Sequence, residues 1–328
     1  MSATAISIVR LSMMVLATAI AVLPTSVPAQ AGAYPKAPIR IVIGATPGGT
    51  LDNIARAMAE GLTAKLSNPV VVDYKPGAQG MIAAEVVAKS PADGHTLLLG
   101  TSTYTTLPFL QKTITYSLER EFMPVAMMAR TPFLLFSGPA SEASSVARLI
   151  EYARANPGKL TAANGDGTTM MAAELFSSEA GISVLPVAYK GGSQMIADIA
   201  GGSVDFGFLG ATAVMPLAKV GKLRVLAVAG SERLAVAPDV PTLAELGVPS
   251  AMFEPWLGLL APTGTDPAII ALLESALESV SRSDPFVARV RDIGSVVDYA
   301  NAAAMKRNLA LEQERISGIV ARSGIVPK

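Results

Sequence analysis

Two glycine-rich loops carry the residue types best suited to chemistry in this chain. The first, Thr46-Pro47-Gly48-Gly49-Thr50-Leu51-Asp52, follows the apolar run Ile39–Ile43. Glycines let backbone N–H groups come close to a ligand, and the start of the helix that follows favours an anion. The same loop would serve equally as a tight structural turn, and taken alone it leaves both readings open. The second, Asn164-Gly165-Asp166-Gly167-Thr168-Thr169, follows the run Leu160–Ala163. Further polar candidates close other apolar runs: Thr101 and Ser102 after Thr96–Leu99, and Tyr189 after Val184–Ala188. Asp205, in Gly201-Gly202-Ser203-Val204-Asp205, reads as a ligand acceptor or as a turn partner.

A nucleotide site competes for the same loops. Asp73 stands a little over twenty residues beyond the first glycines, where a dinucleotide fold wants an acid for the ribose. But Gly44-Ala45-Thr46-Pro47-Gly48-Gly49 is not G-x-G-x-x-G, and Pro47 removes a donor; Gly165 to Met170 fails at its last position. Catalysis has little to stand on. The chain has no cysteine and a single histidine, His95, in a turn entering a strand. No G-x-S-x-G elbow and no His/Cys/Glu metal spacing occurs, so no metal or cofactor is expected. Trp256 reads as a packing residue, and Glu312 with Arg315, spaced i, i+3, reads as a solvated helix face.

These loops need strands and helices to hold them. After the first loop, Leu51, Ile54, Ala55, Met58, Leu62 and Leu66 recur at helical spacing, with Thr50 as the expected N-cap and Asp52 in the first turn. Val70–Val72, a helix over 81–89 and the run Thr96–Leu99 complete a β-α-β-α-β order, which predicts a parallel, doubly wound sheet. The pattern restarts at Phe133–Phe136 and runs to Arg224–Ala229, giving a second α/β unit. In both units the candidate loops sit at carboxyl ends of strands, where open α/β sheets bind ligands.

The chain has 328 residues, 26 basic and 26 acidic. Residues 1–31 stand apart: one charge, Arg10, then an apolar run from Leu11 to Leu23 and the small-residue step Ala29-Gln30-Ala31. That is the order of an export signal, and the run is short of the roughly 20 residues a membrane span needs. Cleavage near Ala31 leaves 328 − 31 = 297 residues and a net charge of 25 − 26 = −1. That charge draws in neither nucleic acid nor anionic lipid.

With these pieces in place the chain resembles the Bug family, the receptors of tripartite tricarboxylate transport systems. The resemblance runs through Pro47-Gly48-Gly49 with Asp52, Pro76-Gly77-Ala78 with Gly80, and Asp93-Gly94-His95-Thr96. It continues through Ala173-Glu174-Leu175-Phe176, Tyr189-Lys190-Gly191-Gly192, Pro238-Asp239-Val240-Pro241-Thr242 and Trp256-Leu257-Gly258-Leu259, in the family's order. It implies a two-lobed periplasmic binding protein fold of type II, each lobe a sheet flanked by helices, joined by crossing strands. One lobe would comprise residues 32–130 and 256–328, the other 131–255. It further implies a monomeric receptor that holds a small carboxylate between Thr46–Asp52 and Asn164–Thr169, largely by backbone groups. The receptor would deliver the ligand to membrane subunits of a transporter or to a sensor. Backbone recognition implies that Gly49→Val harms binding more than Thr50→Ser. Met170 stands where the family often has histidine, which points to a less polar ligand such as an aromatic carboxylate. The competing reading is a periplasmic hydrolase on the same scaffold.

Overall fold

The β-branched runs of the sequence form two separate sheets. A computed structural model describes residues 34–189 and 191–323; the expected export signal and its cleavage step lie outside them. The first sheet contains β1 (Ile39–Ile43), β2 (Val70–Tyr74), β3 (Thr96–Thr101), β4 (Phe122–Arg130), β10 (Trp256–Pro262) and β11 (Val296–Asn301), in the order β11-β4-β10-β3-β1-β2. The second contains β5 (Phe133–Ser137), β6 (Thr161–Asn164), β7 (Leu185–Ala188), β8 (Phe206–Gly210) and β9 (Arg224–Val228), in the order β7-β6-β8-β5-β9.

The expected parallel pairing holds for only part of each sheet. β1 pairs parallel with β2 and β3, and β6 with β7 and β8. β10 is antiparallel to both β3 and β4, and β5 is antiparallel to β8 and β9. The departure has a topological cause. β4 and β10 lead directly to and from the other sheet, so they enter without the crossover helix that parallel pairing demands. The chain leaves the first sheet at Arg130, enters the second at Phe133, and is back in the first at Trp256.

Helices cover these sheets: α1 (Thr50–Leu66), α2 (Met81–Ala88), α3 (Val146–Ala155), α4 (Gly167–Ala180), α5 (Gly192–Ala200), α6 (Ala211–Lys219), α7 (Pro267–Ser281), α8 (Asp284–Asp292) and α9 (Ala302–Ser323). The apolar stripe of α1 is buried as its spacing requires, with Ile54, Ala55, Met58 and Leu62 fully enclosed. Its N-cap is Gly49 rather than Thr50, and no side chain caps it. Thr50 is already helical, so its hydroxyl is not spent on capping.

The last helix joins the two cores. Met305 and Leu309 of α9 pack in the cluster of the first sheet, beside Val42, Leu98 and Leu260. Ile316 and Ile319 pack in a cluster of the second sheet, beside Phe176, Phe206 and Phe208. The C-terminal segment thus touches both cores.

Glu312 lies between the two attachments and is not solvated. Its Oε1 accepts from Ser102 Oγ at 2.6 Å and its Oε2 from Trp256 Nε1 at 2.6 Å, and the Thr105 hydroxyl donates to Oε2 as well. Trp256 N donates in turn to Ser102 Oγ at 3.0 Å. Arg315 reaches the Met252 carbonyl at 2.6 Å. The i, i+3 spacing alone implies a solvated face, because spacing does not register what packs above a helix. Trp256 is 2% exposed and opens β10, as expected of a packing residue where the chain crosses between sheets.

Candidate functional site

Four helix starts and the ends of the strands before them enclose a cavity of about 350 Å³ between the two sheets. From the first sheet come Gly44 after β1, Thr50 and Leu51 at the start of α1, Gln79 and Gly80 before α2, and Thr101 at the end of β3. From the second come Asp166 and Thr168 at the start of α4, and Gly210, Thr212 and Ala213 at the start of α6. Thr131 and Pro255, on the two crossing segments, complete the floor with Phe133 and Leu257. This is the carboxyl-end crevice that open α/β sheets use for ligands.

Two contacts span the cavity. Thr50 Oγ1 and Thr212 Oγ1 are 2.9 Å apart, within hydrogen-bond range. Gly167 N donates to Gln79 Oε1 at 3.4 Å. Gln79 gets there through an unusual backbone: Ala78 and Gln79 have φ of 46° and 53°, a region that non-glycine residues seldom occupy and that collects at functional sites.

The helix starts differ in what they offer. Those of α1 and α6 have glycine N-caps, Gly49 and Gly210, with no side-chain cap bond. Their first N–H groups therefore keep their capacity for an outside acceptor. The start of α4 is closed by its own sequence. Asp166 Oδ1 accepts from Thr169 N at 2.8 Å and from Thr168 Oγ1 at 2.8 Å. Thr169 Oγ1 accepts from Asp166 N at 2.9 Å, completing a capping box.

Of the sequence candidates, Thr50, Thr101 and Thr168 line the cavity. Thr46, Pro47, Gly48 and Gly49 form the exposed outer edge of their loop, and Gly48 borders a neighbouring depression with Thr212. Asp52 is 5% exposed beneath the loop, and its Oδ2 accepts from Gly48 N at 2.8 Å. Ser102 is turned away, to Glu312 and Trp256. Asn164 is buried behind the second loop, with its Oδ1 lacking a protein partner. Gly165 N donates to Thr169 Oγ1 at 2.8 Å, and Gly167 packs against Leu110, which a Cβ there would meet at 2.8 Å. Tyr189 donates to Asp198 Oδ2 at 2.9 Å. Asp205 lies at the amino end of β8, away from the cavity, where it accepts from Thr161 N at 2.8 Å and Thr161 Oγ1 at 2.7 Å. Met170 packs against the cluster around Phe176 and is not among the lining residues.

Tyr104, Gln79, Thr131 and Thr212 were missed by sequence reasoning. Thr212 had a signal available: Gly210-Ala211-Thr212 repeats the strand, glycine, helix order of the first loop, with Pro216 inside α6 obscuring the helix.

Asp52 holds the first loop in shape. Besides Gly48 N, it accepts from Tyr74 at 2.6 Å and Arg56 Nε at 2.8 Å. Burial pushes its carboxyl up, but the bonds from Tyr74, Gly48 and Arg56 outweigh burial, so its pKa lies below the ordinary aspartate value. A depressed folded pKa gives stability that is present above the unfolded pKa and lost as pH falls through the folded one. Asp52→Ala removes the charged acceptor shared by the Tyr74 hydroxyl, Gly48 N–H and Arg56. It is expected to cost about 1–3 kcal/mol of unfolding free energy, read from urea denaturation at neutral pH, with the difference from the parent protein shrinking in acid.

The family model for the tripartite tricarboxylate transporter family receptor matches residues 54–325. The chain belongs to this family. Protein BugT of Bordetella pertussis is 34% identical to the receptor over 304 residues, covering 90% of this chain and 92% of the relative. Among solved structures, R. palustris Rpa4515 with adipate is 32% identical with a TM-score of 0.81, covering 90% of this chain and all of that one (100%). MatC of Rhodopseudomonas palustris with bound malate is 26% identical with a TM-score of 0.76, covering 88% of this chain and 100% of that one. The receptor is therefore a two-lobed solute-binding protein of a periplasmic family that works with tripartite membrane transporters. The family is one of receptors, not enzymes, and the hydrolase reading is dropped. Among the described residues no helix is long and apolar enough to cross a membrane, and no three His, Cys, Asp or Glu side chains are grouped to hold a metal.

Proposed function

We propose that this receptor captures a small carboxylate in the cavity between its two sheets and presents it, as a monomer, to its transporter's membrane subunits. The observation that carries the reading is the meeting of two uncapped helix starts, α1 and α6, at the bonded pair Thr50 and Thr212. Each supplies unsatisfied N–H groups and the positive end of a helix dipole, a combination that binds anions. No lysine or arginine lines the cavity among the described residues, so an anion would be held by neutral donors. Thr50, Thr101 and Thr212 would supply hydroxyls, and Gly44 and Gly210 would let the backbone approach. The dicarboxylates bound to Rpa4515 and MatC support the ligand class.

The lobe boundaries proposed are 32–130 with 256–328, and 131–255, supported by the change of sheet between Arg130 and Phe133 and the return at Trp256. Ligand contacts to both lobes would favour the closed arrangement by their differential affinity. Export with cleavage near Ala31 completes the reading. Phe133, Leu209 and Leu257 give the cavity an apolar wall suited to a ligand with a hydrocarbon body, aliphatic or aromatic.

Thermal unfolding with mono-, di- and aromatic carboxylates tests this. A ligand at a hundredfold excess over its Kd adds about 2.7 kcal/mol, a rise of several degrees in Tm for a protein of this size. Thr50→Val with Thr212→Val should abolish that rise. An unchanged rise in the double variant would sink the assignment of the site.

A further inference from the structure

Asp166 is the sole charged side chain lining the cavity among the described residues. Its presence in an anion site with no lysine or arginine among the described lining residues is the least expected feature of the lining. Among the described residues it makes no ion pair, and its Oδ1 accepts from Thr169 N and Thr168 Oγ1, both uncharged donors. It also occupies the dipole of α4, so this helix start, unlike those of α1 and α6, is already supplied with a negative charge. The cavity is therefore polarised. One part offers uncapped N–H groups at Thr50 and Thr212, and the other presents a carboxylate, with Phe133, Leu209 and Leu257 as the apolar wall.

We infer that Asp166 sets ligand class: the preferred ligand carries one carboxylate and, at its other end, a cationic or hydrogen-bond-donating group. A second carboxylate placed near Asp166 would meet a like charge on an exposed side chain at the cavity's edge, where solvent screens the repulsion only in part. An ammonium or hydroxyl would instead find an acceptor there. The inference rests on the proposed carboxylate site and narrows it.

Matched probes separate the two. Succinate, 4-aminobutanoate and butanoate share one chain length, and adipate, 6-aminohexanoate and hexanoate another; within each set only the far end changes. Titration calorimetry on the full mature chain is expected to rank the amino acid above the dicarboxylate in at least one set, by about tenfold or more, the scale of a partly screened charge pair. Asp166→Asn keeps a residue that caps a helix well and removes the charge. It should weaken the amino acid about tenfold, strengthen the dicarboxylate, and leave the monocarboxylate near its starting affinity. Asp166→Ser, a second capping residue, should behave alike, and the Tm of both variants checks the fold. Dicarboxylates binding as well as amino acids in the parent protein, or a ratio that neither variant changes, would overturn the inference and leave the carboxylate site standing. Failure of all six probes to bind would overturn the inference, and the carboxylate site with it if aromatic carboxylates raise no Tm either.

Discussion

Glu312→Ala is expected to lower the unfolding free energy by about 2–4 kcal/mol, a large share of a typical domain's stability. The side chain collects three donors at the point where α9 passes from one core to the other. Ser102 and Thr105 can turn their hydroxyls elsewhere, but the Trp256 indole N–H is fixed by its ring. An orphaned buried donor costs about 1–3 kcal/mol, and the space left by the side chain adds to that. The carboxylate is itself under stress: burial pushes its pKa above the ordinary glutamate value, only partly countered by bonds from Ser102, Thr105 and Trp256 and by the charge of Arg130. A raised folded pKa gives stability that is fully present below the unfolded pKa and lost as pH rises through the folded one. Glu312→Gln removes this dependence. The parent protein should therefore gain stability relative to Glu312→Gln as pH falls from neutral toward the ordinary glutamate range, the reverse of the trend at Asp52. Urea midpoints for the three proteins across that range measure both effects, and an alanine variant as stable as its parent would refute the role given to this residue.

Gly44→Val is expected to eliminate ligand binding, by more than about tenfold, and to destabilise the fold by about 1–3 kcal/mol, the usual cost of overpacking. A Cβ at Gly44 would stand 2.5 Å from Gly80 Cα and 3.1 Å from the Tyr104 hydroxyl. The first neighbour is backbone and cannot swing away. The second is anchored, since Tyr104 donates to the Gly80 carbonyl at 3.0 Å. All three residues line the cavity, so relief of the clash must deform its wall. Gly49→Val should do far less, because a Cβ there meets nothing within 4 Å and its φ of −86° suits any residue. The expectation drawn from the loop's sequence, that Gly49→Val harms binding more than Thr50→Ser, is a separate comparison within that loop. Parallel titrations of Gly44→Val and Gly49→Val decide the matter: equal losses would show that close approach at Gly44 is not what shapes the site.

The elements with clean periodicity were legible. The stripe from Leu51 to Leu66 and the β-branched runs at Ile39 and Val70 became α1, β1 and β2 with little change. β4 was not, because Phe122–Arg130 contains Pro124, places Met127 and Met128 side by side and has Val125 as its only β-branched residue, so neither β-branched enrichment nor period-two patterning marks it. At the site, sequence located the loops but not the side chains that face inward. Thr101 ends β3 and Ser102 begins the short helix that follows it; only Thr101 reaches the cavity. Asp205 follows a glycine pair as the binding loops do, yet it sits before its strand rather than after it, and so at the wrong end of the sheet. Glu312 looked like surface because its partners lie 210, 207 and 56 residues away in sequence.

The double anchorage of α9 restricts how this receptor can open. Leu309 and Ile316 are seven residues apart, about 10 Å along a helix that rises 1.5 Å per residue, and each is seated in a different core. A rod pinned at two such points behaves as an axle. The halves can rotate about it with side chains rolling in their sockets, but a gape across its line would require the helix to fray or one socket to empty. Access to the cavity should thus come from a twist about α9, and shortening the rod ahead of Ile316 would convert a torsional joint into a loose one.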